Sequence, residues 1–463
     1  MRRVLSLAVV ILGLASAGVI VGTGATQNAP ASAPTFNRHV APIVFANCVT
    51  CHRPGGTGPF SLMSYADAQP FAEEIKARVR ERSMPPWYAD PKFGQFKNAR
   101  GLTQAQVDTI TAWVDAGAPQ GDGTPPAPPR FQDTGWRAMN RPPDEILELP
   151  FGQFQLPPQG EVPTFTVWMP PLRQERFIQA IEIRPSVPGA VHHSSISLGS
   201  MPAGTRIGRG TPFEGAPEID GIAVNADGQR FRSIGGEQIA EKPVFFFVPG
   251  GEYMQLPDGY GKRFRRTDFI SWGLHLISPG MPAALRVQVG LWYNRRYPHH
   301  EMRMLTVTET LTTDSGPVGN DASGNRVFPD IPAGAANWAM TGTRRIMQDV
   351  TLHALWPHMH YRGKDMTFVL TLPNGKQETL LSVPNYNPHW QISYELARPL
   401  RIRRGSTITA YGHFNNSASN PHNPNPAVAV KFGEQGTDEM FLPFLEITVD
   451  DEDLSLERFQ SAQ

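Results

Sequence analysis

Residues 121–129 read GDGTPPAPP, and this stretch divides the chain into two parts of different construction. Prolines at this density fix the backbone dihedral φ and remove backbone donors, so we predict a stiff spacer and a domain boundary. Before the spacer, apolar side chains recur at helical spacing in 67–82 and again in 102–115. Thr103, with Gln106 three positions on, is typical of a capped helix N-terminus. This part is therefore predicted to be a small all-α unit.

The part after the spacer carries short alternating stretches bounded by Gly and Pro, which predict β-strands. Clear examples are 164–169, 177–183, 284–293, 347–355, 366–372 and 407–411. They fall into two blocks with the same pattern of short alternating stretches. We therefore expect a multidomain chain with two antiparallel all-β sandwiches in tandem. The predicted divisions are an N-terminal segment 1–33, the helical unit 34–122, a Pro-rich linker 123–145, a first sandwich 146–298, a second sandwich 299–456 and a tail 457–463.

Length and composition narrow the class of protein. At 463 residues the chain exceeds what one core organises, and 40% hydrophobic residues supply material for several cores. The 42 Lys and Arg balance 42 Asp and Glu, so no net field attracts nucleic acid or anionic lipid. The 43 glycines and 45 prolines favour short strands joined by loops.

The first residues have the pattern of an export signal. Arg2 and Arg3 precede an apolar run over 4–21, and small and polar residues follow it. Residues 15–17, Ala-Ser-Ala, are a candidate cleavage box. Because the run is nearly long enough to span a bilayer, an uncleaved membrane anchor is the alternative. Either outcome places the rest of the chain outside the cytoplasm, so we expect a periplasmic or extracellular protein.

The only two cysteines of the sequence lie in CysValThrCysHis, residues 48–52. In a CxxCH motif the two thiols add to the vinyl groups of a haem, and the adjacent His binds the iron. Cys48, Cys51 and His52 are therefore predicted to attach one covalent haem c rather than to form a disulfide. A zinc site or a thioredoxin-like redox pair is the alternative, and it lacks a second ligand pair and a βαβ context.

The haem iron needs a sixth ligand, and two methionines are candidates. Met84 lies in ArgSerMetProProTrp, residues 82–87, where two following prolines restrict the backbone. A thioether ligand would raise the reduction potential relative to a second His. We predict that Met84 is the ligand, with Met63 as the competing candidate.

Several histidines of the β part stand in arrangements that suit metal binding. His192 and His193 are adjacent, so both can reach one metal only at a strand end or a bulge. His275 lies in an apolar strand, where a lone His is often a core residue. His358 and His360 are spaced i, i+2, which in a regular strand places both imidazoles on one face.

Three further histidines are given other roles. His299 and His300 form a second adjacent pair, which we place on a surface connector between the sandwiches. His413 precedes an Asn-rich loop and is predicted to be a structural hydrogen-bonding residue rather than a ligand.

The N-terminal unit resembles class I c-type cytochromes over its whole length. The matching motifs are TFNRHVAPIV at 35–44, CVTCHRPGG at 48–56, MPPW at 84–87 and AWVDAGAP at 112–119. The resemblance implies that residues 34–122 are a cytochrome c domain that transfers electrons. It also implies that His52 and Met84 are the two axial ligands of the haem iron.

The β part resembles the copper type II, ascorbate-dependent monooxygenases, the family of peptidylglycine hydroxylating monooxygenase and dopamine β-monooxygenase, and most closely their bacterial relatives. The matching motifs, in family order, are VHHS at 191–194, GLH at 273–275, PHMHYRGKD at 357–365, HFNNSASNPHNP at 413–424 and GTDEM at 436–440. The resemblance implies two tandem jelly-roll sandwiches that each hold one copper and face each other across an open cleft.

The family's ligands carry over to six positions of this chain. His192, His193 and His275 would hold the electron-transfer copper. His358, His360 and Met440 would hold the oxygen-binding copper, at which substrate is oxidised. Leu276 stands where bacterial relatives commonly have Tyr, and the mammalian disulfides have no counterpart because no cysteine remains. The residues that bind a peptide substrate's carboxylate are not recognisable, so a peptide substrate is not carried over.

The sequence thus predicts an exported copper monooxygenase that hydroxylates a small organic substrate with O2. The fused haem would replace or supplement ascorbate by passing electrons from a periplasmic donor to the first copper. The short Pro-rich tether would raise the effective concentration of this electron donor beside the sandwiches. One alternative is a non-catalytic haem and copper redox relay or copper-binding protein. Another is a cytochrome with carbohydrate-binding sandwiches, which predicts exposed aromatic platforms and no metal.

Overall fold

The structure is a computed structural model that describes residues 33–131, 135–201, 204–225, 241–248, 251–322, 326–433 and 435–456. The described chain is mostly β-sheet with a few short helices. The predicted export segment 1–33, apart from its last residue, and the tail 457–463 lie outside the described residues. Within the ranges given, no helix has both the length and the apolar character needed to cross a membrane.

The helical unit comprises residues 33–122. Its helices are Phe36–Val40 (a π-helix), Ala41–Asn47, Tyr65–Ala68, Gln69–Phe71 (a 3-10 helix), Ala72–Arg80 and Gln104–Asp115. The last helix begins at the predicted cap, where the side chains and backbones of Thr103 and Gln106 form a reciprocal capping box. The predicted helix over 67–82 is divided into three short elements, because Pro70 lacks a backbone donor.

The two ends of the helical unit are joined by backbone hydrogen bonds. The N–H of Phe36 donates to the carbonyl of Pro119 (2.9 Å), and that of Asn37 donates to Gln120 (3.0 Å). Phe36 and Trp113 are fully buried in the unit's own hydrophobic cluster. The unit therefore closes on itself just before the Pro-rich spacer.

The first β unit comprises residues 135–298. Its strands are β1 (Glu145–Glu148), β2 (Phe154–Leu156), β3 (Glu161–Met169), β4 (Arg176–Pro185), β5 (Val191–Gly199), β6 (Arg206–Gly210), β7 (Ile219–Val224), β8 (Glu241–Phe247), β9 (Tyr253–Gln255), β10 (Tyr260–Phe264), β11 (Phe269–Ile277), β12 (Ala283–Leu285) and β13 (Val287–Tyr293).

The second β unit comprises residues 299–456. Its strands are β14 (His300–Glu301), β15 (Arg303–Thr306), β16 (Thr310–Thr313), β17 (Gly316–Pro317), β18 (Gly319–Asn320), β19 (Arg326–Val327), β20 (Trp338–Arg345), β21 (Val350–His358), β22 (Gly363–Thr371), β23 (Gln377–Val383), β24 (Tyr394–Ile402), β25 (Thr407–Phe414) and β26 (Leu442–Val449).

Each β unit is built from two larger sheets around one core. In the first unit the orders are β1-β13-β4-β10, with β9 beside β4, and β3-β11-β5-β8; strand β14 of the second unit pairs with β10 at the edge of the former sheet. In the second unit they are β15-β26-β21-β24 and β17-β16-β20-β25-β22-β23. Inward side chains of both sheets pack into one buried cluster per unit, with Trp272 and Val289 in the first and Leu352 and Phe368 in the second. Burial of these apolar faces is the main force that holds the paired sheets together.

The end of the predicted linker packs on the first β unit rather than spanning a gap. Ala138 is buried against Trp292, and Trp136 packs beside them. The backbone N–H groups of Arg137 and Ala138 both donate to the buried carboxylate of Glu182 (2.6 and 2.8 Å). An apolar contact and two hydrogen bonds to one oxygen of a buried carboxylate therefore fix residues 136–138, which the Pro-rich composition alone did not reveal.

The helical unit is docked on the second β unit. Phe96 forms an antiparallel bridge with Leu396 at the edge strand β24. The N–H of Lys97 donates to Glu395 (2.9 Å), and the Asn98 side chain donates to the carbonyl of Ser393 (2.7 Å). Backbone pairing and packing hold the two units in contact.

The two β units also contact each other directly. The Gln435 side chain donates to and accepts from the backbone of Thr164 (2.9 and 3.0 Å). The ring of Phe246 lies 3.8 Å, centroid to centroid, from the indole of Trp356 and also packs on Phe444. Aromatic packing and hydrogen bonds therefore join the two β units.

Candidate functional site

The first cluster brings together His192, His193 and His275. One ligand atom from each imidazole lies within 4.8 Å of the other two. The ring centroids of His192 are 4.1 Å from His193 and 5.1 Å from His275. Three converging imidazole nitrogens are a donor set that suits copper and zinc.

A β-bulge directs the adjacent histidines to the same point. His275 in β11 pairs with His193 in β5, and the next residue, Leu276, pairs with Val191. His192 is therefore the extra residue of the bulge. Neighbours in a regular strand point to opposite faces, and a bulge removes that restriction. The prediction that the pair needs a strand end or a bulge to share a metal is confirmed in its geometry.

The imidazoles of the first cluster fit a metal ion. Nδ1 of His192 and Nε2 of His193 are buried and have no hydrogen-bond partner among the described residues. Such an orphaned polar atom costs about 1–3 kcal/mol unless something binds it. Burial, together with the neighbouring charges of His275 and His389, lowers the pKa of His192 to about 4. Burial also lowers the pKa of His193 well below its usual value, so both rings are neutral at pH 7.

Glu161 orients the third histidine and links the first cluster to the second. Its Oε2 lies 3.4 Å from Nε2 of His275, which leaves Nδ1 of that ring for the cluster. The same carboxylate accepts a hydrogen bond from the Tyr361 hydroxyl (2.8 Å), and Tyr361 follows His360 in the chain. The hydrogen bond with His275 is the main reason that the pKa of Glu161 is lowered to about 2.

The second cluster comprises His358, His360 and Met440. Nε2 of His358 lies 3.4 Å from Sδ of Met440, and the two histidine rings are 5.2 Å apart. Nδ1 of His360 lies 3.2 Å from the carbonyl of Asp438, so it must donate and Nε2 keeps its lone pair. Burial lowers the pKa of His358 to about 3 and that of His360 to about 4. Two neutral imidazoles beside a thioether suit Cu(I).

The i, i+2 spacing predicted that His358 and His360 lie on one face of a regular strand. The structure brings the two imidazoles together in a different way. β21 ends at His358, and Met359 and His360 follow it in irregular backbone. What holds His360 in place is a hydrogen bond from its N–H to the side chain of Glu439 (3.0 Å). The two imidazoles therefore meet through a buried carboxylate rather than through strand alternation.

Glu439 is a buried carboxylate that organises the second cluster. It is 0% exposed and accepts backbone N–H groups from His360 (3.0 Å), Arg362 (2.5 Å) and Met440 (3.3 Å). Burial raises the pKa of Glu439 to about 8, while these hydrogen bonds and the Arg362 charge act in the opposite direction. One side chain thus fixes the backbone of two of the three cluster residues.

The two clusters lie close to each other across the contact between the β units. The charges of His358 and His360 are among the causes that lower the pKa of His193. In turn, the charge of His275 contributes to lowering that of His360. The Glu161 carboxylate, which contacts both His275 and the Tyr361 hydroxyl, connects the two clusters directly.

A cavity of about 450 Å³ joins the CxxCH motif to the first cluster. Its lining includes Cys48, Cys51, His52 and Met84 from the helical unit, and His192 and His389 from the two β units. This volume lies within the range of about 300–1,000 Å³ that is typical of cofactor sites. The predicted haem-attachment residues therefore surround one space, and a residue of the first histidine cluster forms part of its wall.

The side chains around this cavity fit a haem. Nδ1 of His52 lies 3.2 Å from the carbonyl of Phe60, so it donates there and leaves Nε2 free to bind iron. A Cβ at position 58 would lie 2.8 Å from Nδ1 of His52, so only Gly58 allows this packing. The two cysteines are free thiols, and burial raises the pKa of Cys48 to about 12.

The remaining residues named from the sequence lie elsewhere. Met63 packs against the core of the helical unit and is not among the described residues that line the cavity. Nδ1 of His299 lies 3.0 Å from the carboxylate of Asp453, and His300 forms strand β14 beside β10. Nδ1 of His413 lies 2.7 Å from the Asp365 carboxylate, which confirms its structural hydrogen bond.

Sequence reasoning missed four residues of the site, Glu161, Tyr361, His389 and Glu439. Glu439 lies in the GTDEM motif and Tyr361 directly follows His360, so motif position was an available signal for both. Glu161 lies more than one hundred residues before its partner His275 (114 positions), and no local pattern distinguishes it from a surface acid. His389 stands alone in AsnProHisTrp, and only the fold places it beside His192.

No family model matches this chain, and no curated protein matches it. A solved structure of PNGF-II is similar at 9% identity with a TM-score of 0.21, over 62% of this chain and 60% of that one. A structure of allantoicase is similar at 12% identity with a TM-score of 0.15, over 52% and 72%. The CBM22-1-CBM22-2 tandem domain of Paenibacillus barcinonensis Xyn10C is similar at 9% identity with a TM-score of 0.16, over 68% and 100%. At these TM-scores the similarities assign neither a family nor a function.

Proposed function

We propose that this chain is an exported copper-dependent monooxygenase that hydroxylates a small organic substrate with O2. Haem c on the helical unit supplies the electrons. The observation that carries the proposal is the convergence of two separate donor sets, three imidazoles in one β unit and two imidazoles with a thioether in the other. In this proposal the helical unit is a cytochrome c domain, and the two β units are jelly-roll sandwiches with one copper each.

The residues of the two clusters have distinct roles in the proposal. His192, His193 and His275 hold the copper that receives electrons, and Glu161 orients His275 through its Nε2. His358, His360 and Met440 hold the copper at which substrate is oxidised. Glu439 fixes the backbone of His360 and Met440, so that the soft thioether and the imidazole face the same point.

Four residues of the helical unit bind the haem in this proposal. Cys48 and Cys51 anchor the haem, and His52 and Met84 are its axial ligands. The shared wall of the cavity supports direct electron transfer, because His192 belongs both to the cavity and to the first cluster. When bound, haem and copper supply reversible one-electron chemistry and, at the second cluster, activation of O2.

Copper content of the full-length, haem-loaded protein tests the proposed sites. We expect two coppers per chain by elemental analysis, one fewer in His275→Ala, and weakened Cu(I) binding in Met440→Leu. His299→Ala is the matched control, since its side chain is 61% exposed and contacts Asp453 rather than either cluster. Copper binding that is equal in all four proteins would contradict the assignment.

The reaction is tested separately. The copper- and haem-loaded protein is reduced without air, then mixed with O2 and a pooled metabolite library, and products are analysed by mass. We expect a product that gains one oxygen atom, and we expect Met440→Leu to abolish it. Absence of any such product from a protein with both coppers would refute the oxygenase proposal.

A non-catalytic redox relay is the second candidate. The hydrogen bond between Glu161 and Tyr361 and the packing of Phe246 on Trp356 join the β units beside both clusters, which favours relay over substrate access. A relay protein would bind copper and exchange electrons with the haem, yet its O2 consumption would not rise with any added organic compound. The same library experiment therefore separates the two candidates.

A further inference from the structure

We propose that His389 is a positioning residue for electron transfer, held by the segment 384–393 between the haem cavity and the first histidine cluster. The inference rests on the proposed function, because it requires haem at Cys48 and Cys51 and copper at His192. It goes beyond that function by giving a role to a histidine outside the CxxCH motif and outside both clusters.

His389 lies where three parts of the molecule meet. It is half-buried and lines the cavity, with Trp390 beside it. Its ring centroid is 5.6 Å from that of His192, 5.0 Å from His422 and 6.1 Å from Tyr361. One imidazole thus lies beside the haem cavity, the first cluster and the tyrosine that follows His360.

The segment is attached to the helical unit through Asn387. The amide nitrogen of Asn387 donates to the hydroxyl of Tyr88 (3.1 Å), a residue of the helical unit. The amide oxygen of the same side chain accepts the backbone N–H of His389 (3.0 Å). A single side chain therefore couples the position of His389 to the unit that carries the CxxCH motif.

The segment is also attached to the strand that leads into the second cluster. The Tyr386 hydroxyl donates to the carbonyl of Met359 (2.6 Å) and accepts its N–H (3.0 Å). Met359 lies between His358 and His360 in the chain. The indole N–H of Trp356 in β21 donates to the carbonyl of Gln391 (2.9 Å). These contacts are buried, so the segment has little freedom on either side of His389.

Because the segment is held on both sides, His389 forms a rigid aromatic contact with His192 on the side that faces the cavity. In the transfer step the haem iron is oxidised from Fe(II) to Fe(III) and copper is reduced from Cu(II) to Cu(I), with no bond made or broken and no proton moved. The residues that surround donor and acceptor then determine how closely the two are held. Removing the His389 ring leaves a gap beside His192 into which that ligand can shift and water can enter.

The test is the rate of electron transfer within the full-length protein loaded with haem and copper. Protein with reduced haem and oxidised copper is prepared by flash reduction without air, and the haem absorbance is followed as it re-oxidises. We expect His389→Ala to slow the transfer several-fold, because the rate of electron transfer falls steeply as the distance between donor and acceptor grows. His389→Phe retains an aromatic ring and is expected to restore most of the rate.

His422→Ala is the matched control, because its ring also packs on His389 but it is not among the described residues that line the cavity. We expect its rate to equal that of the unchanged protein. The copper EPR spectrum and the haem reduction potential, measured on every variant, report whether either metal environment has changed.

Each outcome is decisive. An unchanged rate in His389→Ala, or equal slowing in His422→Ala, overturns the positioning role and leaves the proposed function intact. Loss of copper from His389→Phe also overturns it, because His389 would then be a ligand. If the unchanged protein holds copper at the first cluster but shows no transfer from haem, the proposed electron transfer from haem to this copper is refuted together with this inference.

Discussion

The role of Glu439 can be tested by replacing it with the isosteric amide in Glu439→Gln. In the carboxylate form, Oε1 accepts the N–H of Arg362 and Oε2 accepts the N–H groups of His360 and Met440. The amide side chain of the variant retains only one oxygen. If that oxygen keeps the two bonds to the cluster residues, the amide NH2 faces the N–H of Arg362, and one buried donor is left unsatisfied.

The size of the effect follows from that lost bond. Leaving a buried N–H without its acceptor costs about 1–3 kcal/mol, which corresponds to a roughly 5- to 150-fold increase in local opening. We therefore expect faster hydrogen exchange in peptides that cover 358–362 and 438–442. The comparison is made on the metal-free protein at pH 9, above the pKa of about 8, so that the carboxylate of the unchanged protein is ionised.

The matched control for this prediction is Glu378→Gln, an exposed residue of the same β unit. A surface substitution of this kind changes stability by less than about 0.5 kcal/mol, so exchange in both peptides should match the unchanged protein. If Glu439→Gln exchanges at the same rate as Glu378→Gln in both segments, Glu439 does not hold the second cluster together.

The remaining predictions concern docking, the haem and copper. Asn98→Ala removes two hydrogen bonds to the backbone at 393–395 and should weaken docking of the helical unit by about 1–3 kcal/mol, measured as faster exchange or proteolysis at β24. Met84→Leu should lower the haem reduction potential and remove thioether ligation from the spectrum, whereas Met63→Leu should change neither. Copper at 100 times its dissociation constant should stabilise the protein by about 2.7 kcal/mol, and a chelator should reverse the shift in calorimetry. Met440→Leu should reduce that shift, and an equal shift would contradict copper binding at the second cluster.

Local features of the chain were readable from the sequence because their physical causes act within a few residues. The helix capped by Thr103 was predicted from its cap and its apolar period, and the structure has it at Gln104–Asp115. The alternating stretches correspond to strands such as Glu161–Met169 and Gly363–Thr371. The requirement for a bulge at the adjacent histidines also followed from strand geometry alone.

Tertiary structure alone decided which of these elements meet. The contact between His358 and Met440 joins residues 82 positions apart, and that between Glu161 and Tyr361 joins residues 200 apart. Periodicity specifies which face of a strand is buried, but it does not specify the strand against which that face packs. Docking of the helical unit, the contacts between the β units and the position of His389 all depend on such long-range packing. They are properties of the assembled surfaces, whereas the motifs are properties of the chain.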